Sequence, residues 1–178
     1  MSDRSPVAEQ IAELAARLGM PRFVVVCTDL LGGADRESYV DELRALTGHH
    51  WRVGDDVFDH EVWRDYWVRT WGARGLLHVW DDAATAAVVA GLADPHWRPA
   101  EMCLKVAARH EVAGTGDGAV ALADHDLSRV RAQAMRALAV TGDTEHVPAV
   151  REHLDDEDAA VRRHAARALV VLESRLDL

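Results

Sequence analysis

The residues best suited to chemistry in this chain gather in two places. Residues 48–61, GHHWRVGDDVFDHE, hold His49, His50, Trp51, Asp55, Asp56, Asp59, His60 and Glu61. Imidazoles beside carboxylates are ligands for Zn or Fe, so His49, His50, His60 and Glu61 form a metal-site alternative. Their spacing fits no ligand set on a rigid element, and the segment is expected to be a solvated loop whose Asp residues cap the next helix. No metal and no cofactor is expected. Further along, Glu101, His78 and His164 are the acid–base candidates, because a carboxylate or imidazole beside aromatic rings titrates away from its ordinary range. Nucleophilic chemistry has no motif to rest on: there is no GxSxG, and the five serines fall at termini or helix starts. The GTGDG of residues 114–118 follows a helical stretch instead of a strand, so it is expected to be a loop and not a phosphate cradle.

The element that positions much of this chemistry is HEVWRDYWVRTWGARGLLHVW, residues 60–80, which reads as one long helix. With about 100° per residue, Val68, Gly72 and Leu76 line its core face. His60, Trp63, Trp67, Trp71, Arg74 and His78 run along one flank. The tryptophans can pack beneath the N-terminal helices, which must dock near this helix. Alternatively they wall a groove in which Trp63, Trp67, Trp71 and Trp97 supply aromatic surface and Arg74, His78 and Glu101 supply polar groups. Such a groove suits a small molecule or a protein partner.

That helix is the first of four similar segments. Val68-Arg69, Arg98-Pro99, Val130-Arg131 and Val161-Arg162 open them, at spacings of 30, 32 and 31 residues. In this alignment Gly72, Met102, Ala134 and Ala165 share one column, and Leu76, Val106, Leu138 and Leu169 another, four residues on. Together they make one apolar helical stripe per segment. Shorter helical stretches end at Leu92, Leu122 and Leu154, each followed by an acidic turn (LADPH, LADHD, LDDED). The same alignment puts Trp97, Glu101 and Leu104 at the positions of Trp67, Trp71 and Arg74. Arg129, Gln133 and Arg136 follow in the third unit, then Ala160, His164 and Arg167. The flank thus changes from aromatic to polar along the chain.

An Asp-rich turn, then Val-Arg, then small residues ending in Ala-Leu resembles the HEAT-like repeats, especially the short bacterial variety also found in phycobilin lyases. The resemblance covers residues 61–178 and is clearest in the last two units; Arg98-Pro99 departs from it, although Pro fits a first helical turn. It implies an all-α fold, a right-handed α-solenoid of HEAT-like helical hairpins. Families sharing that fold include scaffolds, chromophore lyases, DNA glycosylases and a di-iron hydroxylase, so no reaction is implied. His60-Glu61 and His110-Glu111 do not share a register, which argues against the hydroxylase's symmetric ligation. Arg69, Arg131 and Arg162, near Asp124, Asp126 and Asp156, are expected to form the ion-pair ladder common in such repeats.

Ahead of the repeats, residues 1–60 are expected to form an N-terminal helical cap and the polar loop, continuous with the repeat domain of residues 61–178. Ser5-Pro6 should start a first helix bearing Ile11, Leu14, Ala15 and Leu18, closed by Gly19. RFVVVCTDLLGG has strand propensity but no partner strand, and a buried helix is expected. A third helix should run from Ser38 to Leu46. The net charge of −10 and the single lysine, Lys105, argue against a nucleic-acid partner. No apolar run is long enough to span a membrane, and no signal peptide is evident, so the cytoplasm is expected. Cys27 and Cys103, in apolar stretches, are expected to be reduced core thiols. The functional expectation is an acidic repeat scaffold or adaptor for a protein or peptide. A small-molecule enzyme or binding protein is the alternative, and a HEAT-like DNA glycosylase is less favoured.

Overall fold

Three consecutive valines, Val24–Val26, favour a strand by propensity, yet in the computed structural model they lie in a helix, Met20–Leu31. Tertiary contact overrides propensity here because Phe23, Val26, Cys27, Leu30 and Leu31 recur with helical spacing and are all buried, while Val25 faces solvent. The structure describes residues 6–178. Ser5, the expected cap of the first helix, lies outside them. Among the described residues there is no strand, and the ten α-helices are α1 (Pro6–Leu18), α2 (Met20–Leu31), α3 (Val40–Thr47), α4 (Asp65–His78), α5 (Thr85–Gly91), α6 (Trp97–His110), α7 (Gly116–Ala123), α8 (Ser128–Thr141), α9 (Val147–Glu152) and α10 (Ala159–Leu176). The fold class is all-α, an α-solenoid. The chain divides into two compact units, Met1–Ala87 and Val88–Leu178.

In the first unit, Gly19 at φ 77° lets α1 turn into α2, a backbone conformation open to glycine at little cost. The third helix is shorter than expected. A 3-10 turn, Arg36–Tyr39, is capped by Asp35 and precedes α3, which ends at the left-handed Gly48. Helix α4 packs on α2 through its glycines. A Cβ at Gly72 would come within 2.6 Å of the Cys27 carbonyl oxygen, and one at Gly75 within 2.4 Å of the Cys27 sulfur. Cys27 and Cys103 are both free and buried, and burial pushes their thiols well above the usual range.

The expected helix over residues 60–80 is shortened at its start, because α4 begins only at Asp65. His60 and Trp63 therefore stand in turns before it. Asp59 accepts hydrogen bonds from the Glu61 and Val62 amides, and the buried guanidinium of Arg36 claims the Trp63 carbonyl at 2.5 Å. In a continued helix that carbonyl would accept from the Trp67 amide, which bonds the Arg64 carbonyl instead.

In the second unit α6 packs on α8, α7 on α8, α8 on α10, and α9 on α10. Burial here revises the expected register. Pro99, Cys103, Val106 and Ala107 are buried in α6 as Val130, Ala134, Ala137 and Leu138 are in α8. Val161, Ala165, Ala168 and Leu172 follow in α10. The units are therefore spaced 31 residues apart throughout, at Val68, Pro99, Val130 and Val161, and Pro99 itself stands at the valine position. The turns agree. Asp94, His125 and Asp156, 31 residues apart, each accept a hydrogen bond from the amide two residues ahead. An imidazole at 125 thus does what a carboxylate does at 94 and 156.

Candidate functional site

The first unit brings together Trp63, Trp67 and Trp71. Trp71 is buried, and its ring centroid lies 5.4 Å from Trp63 and 6.1 Å from Trp67. Trp51 and His49 extend the cluster, with His49 edge-on to both Trp51 and Trp63 at 5.0 and 5.1 Å. Tryptophans 51, 63 and 67 are half-buried. The cluster is thus an aromatic wedge that holds residues 49–64 against α4, with only its rim open to solvent. Arg74 reaches across to α3, donating to the Thr47 carbonyl at 2.8 Å, and burial lowers its pKa. His78 is half-buried near the end of α4.

The polar loop does not collect its histidines and acids into one group. His49 pairs with Asp55 at 3.0 Å and His60 with Asp65 at 3.3 Å, while His50 and Glu61 are exposed. Among the described residues no group of three or more His, Cys, Asp or Glu is arranged to hold a metal. Asp55 also accepts from the Arg52 amide, and that bond and the His49 ring hold its carboxyl below the usual range. The expected capping Asp residues are present, but they cap turns within the loop instead of the helix itself.

Arg36 escaped sequence reasoning. Its side chain is almost wholly buried, donates to the carbonyls of Val57 and Trp63, and pairs with Asp65 at 2.5 Å, which holds the Asp65 carboxyl below its ordinary value. Beside it lies a cavity of about 280 Å³ lined in part by Asp35, Arg36, His60, Asp65 and Arg69. Among the described residues no tryptophan, hydroxyl or thiol lines it.

The second unit holds Trp97, Glu101 and His164. The 31-residue register moves their correspondences by one residue from those expected. Trp67, Arg98, Arg129 and Ala160 share a position; so do Trp71, Met102, Gln133 and His164; so do Arg74, Lys105, Arg136 and Arg167. Trp97 is half-buried, with the Arg98 and Arg129 guanidinium carbons 4.4 and 4.8 Å from its ring centroid. That is cation–π distance. Glu101, expected as an open acid, is buried at 6% exposure and already engaged: Arg129 binds both its oxygens at 3.0 Å and Lys105 one at 3.1 Å. Both oxygens of that carboxylate are thus taken up by charge-assisted contacts. His164 meets Arg136 at 3.0 Å. Partial burial, then the charges of Arg136, Arg167 and Arg163, lower its pKa.

The opposite flank bears the expected ladder in reduced form. Arg131 crosses between neighbouring repeats, binding Asp156 through Nε at 2.8 Å and Nη2 at 2.9 Å while its Nη1 donates to the carbonyls of residues 125 and 126. Arg162 repeats only the second half, donating to the carbonyls of residues 156 and 157. Two histidines that the sequence gave no reason to single out are buried between repeats of the second unit. His146 reaches Asp117 at 3.0 Å, and His153 the Ala123 carbonyl at 2.8 Å. Two glycines of GTGDG serve packing. Gly116 and Gly118 start α7, where a Cβ would strike the His146 ring or Leu92.

Residues 117–176 match the family model described as HEAT repeats. The chain carries HEAT-like repeats. No curated protein matches it. The crystal structure of an engineered protein superposes with a TM-score of 0.52 at 17% identity, over 95% of this chain and 85% of that one. At that identity the likeness concerns the fold alone. The matched HEAT repeats contain Arg131, Asp156, Arg136 and His164, so both flanks described above run through them.

Proposed function

We propose that this HEAT-like repeat chain is a scaffold or adaptor that binds a protein or peptide partner through the flank of α6, α8 and α10 carrying Trp97, Arg129 and Arg136. The observation that carries this is the half-exposed Trp97 ring with two guanidinium groups against it, at the start of a flank whose neighbouring helices touch side chain to side chain. Trp and Arg dominate the energetic centres of protein interfaces. HEAT repeats generally mediate protein interactions, which supports the same reading. Among the described residues no helix is long and apolar enough to cross a membrane, and the two free thiols suit the reducing cytoplasm, where we place the protein.

A site-specific photocrosslinker at position 140 or 171, on this flank, is expected to capture one defined polypeptide in the native host. The same probe at position 151, on α9, should capture none. Equal capture at all three positions, or capture at none, overturns the proposal. The cavity beside Arg36 supports a second reading, a small-molecule site in the first unit, since its volume is close to the lower bound for such pockets, about 300 Å³. A small molecule retained through native mass spectrometry and lost on substituting Arg36 would favour that reading.

A further inference from the structure

The repeats present a periodic cation. Lys105, Arg136 and Arg167 share one position in α6, α8 and α10, and Arg98 and Arg129 lie two turns earlier on the same side of their helices. Arg129, Arg136 and Arg167 are exposed. The stripe is continuous, since Arg129 bridges from α8 to Glu101 of α6 and Arg136 from α8 to His164 of α10. Glu101 is the carboxylate within it, and Arg129 and Lys105 already occupy it. Burial first, and then Arg136, Arg167 and Arg163, lower the pKa of His164 beside the stripe. All of this sits on a chain of net charge −10. Folding employs Arg129 and Lys105 through Glu101, whereas like charges repeated at Arg136 and Arg167 cost stability.

Geometry narrows the occupant. Packed helices lie about 8–10 Å apart, and a peptide in the extended polyproline II conformation advances about 3.1 Å per residue with three residues per turn, so carboxylates three residues apart share one side of it and would meet cations on successive helices. A nucleic-acid duplex fits less well. It carries about one charge per 1.7 Å, and the exposed acids Asp124 and Asp126 stand in the turn just before α8. Resting on the partner-surface reading above, we infer that the flank of α6, α8 and α10 docks an extended acidic peptide segment of a partner protein, with a carboxylate at every third residue and an apolar or aromatic side chain on Trp97.

The test uses the full chain and three labelled probes read by fluorescence anisotropy: a peptide with Glu at every third residue and a terminal Trp, a peptide of the same composition with its Glu residues contiguous, and oligo-dT of equal length. The spaced peptide is expected to bind tightest, and to weaken as salt rises from about 50 to 200 mM. The double variant Arg136→Gln/Arg167→Gln should lower its affinity about tenfold or more with helicity intact by circular dichroism. Arg151→Gln, a cation on α9, should leave it unchanged. Undiminished binding by the double variant, equal binding of both peptides, no binding at low salt, or a preference for oligo-dT each overturns the inference. Photocrosslinking at positions 140 and 171 reads the partner surface without reference to charge. Adducts there alongside peptide failure would remove this inference and leave the scaffold reading standing.

Discussion

Asp156→Ala is expected to cost about 3–5 kcal/mol, the loss typical when one member of a buried ion pair is removed. The side chains of Arg131 and Asp156 are 9% and 7% exposed, and the carboxylate takes two of the guanidinium's donors at 2.8 and 2.9 Å. The variant leaves that charge buried with Glu157 as its remaining acid, at 3.2 Å and with 86% of the Glu157 side chain exposed. It also removes the acceptor for the Asp158 amide in the turn before α10. Glu157→Ala is the control and should cost no more than about 1 kcal/mol, as exposed pairs do. Urea unfolding followed by far-ultraviolet circular dichroism is the suitable assay, because five of the six tryptophans lie in the first unit and only Trp97 in the second. The pH dependence is a second constraint. Arg131 holds the Asp156 carboxyl below the ordinary 3.8, so its stabilisation is fully present above that value and is lost as pH falls through the folded-state pKa. The wild-type and Asp156→Ala stabilities should therefore converge in acid. A cost no larger than that of Glu157→Ala, or a gap unchanged by acid, would refute the argument that this pair joins neighbouring repeats.

Gly72→Ala should destabilise the first unit by about 1–3 kcal/mol, since the added methyl meets the α2 backbone and overpacking outweighs the gain in helix propensity; tryptophan fluorescence during urea unfolding will show it as a lowered midpoint. Arg36→Ala should cost about 2–4 kcal/mol by leaving the Val57 and Trp63 carbonyls unpaired, and hydrogen exchange should quicken across residues 57–64. In Arg136→Gln the His164 pKa should rise, though not fully to 6.5 because burial also depresses it; an NMR titration showing no change would mean that Arg136 does not set the potential there.

Most of the helical elements were legible because amphipathic period is local. Ile11, Leu14 and Ala15 on α1, and Val130, Ala134 and Leu138 on α8, mark buried faces that spacing alone reveals. The register slipped at one place for a physical reason. Arg98-Pro99 offers two residues that can open a helix, and sequence cannot tell which of them turns inward. Burial of Pro99 decides it, and only then do Lys105, Arg136 and Arg167 fall into one column. The candidate site was less legible. Glu101 and Trp71 stand out in the sequence by type, but neither the salt bridges that occupy the one nor the rings that bury the other are encoded in nearby residues.

The sequence by itself determined that this chain is an all-α repeat protein, because apolar positions recurring every 30 to 32 residues admit few architectures. Tertiary structure decided which polar groups remain available. Arg36 meets Asp65 across 29 residues, Arg129 meets Glu101 across 28, and Arg131 meets Asp156 across 25. Such pairings depend on which helices become neighbours, and each one converts a residue that could have done chemistry into one that holds the fold. Left exposed on the partner-binding flank are Arg136 on α8 and Arg167 on α10.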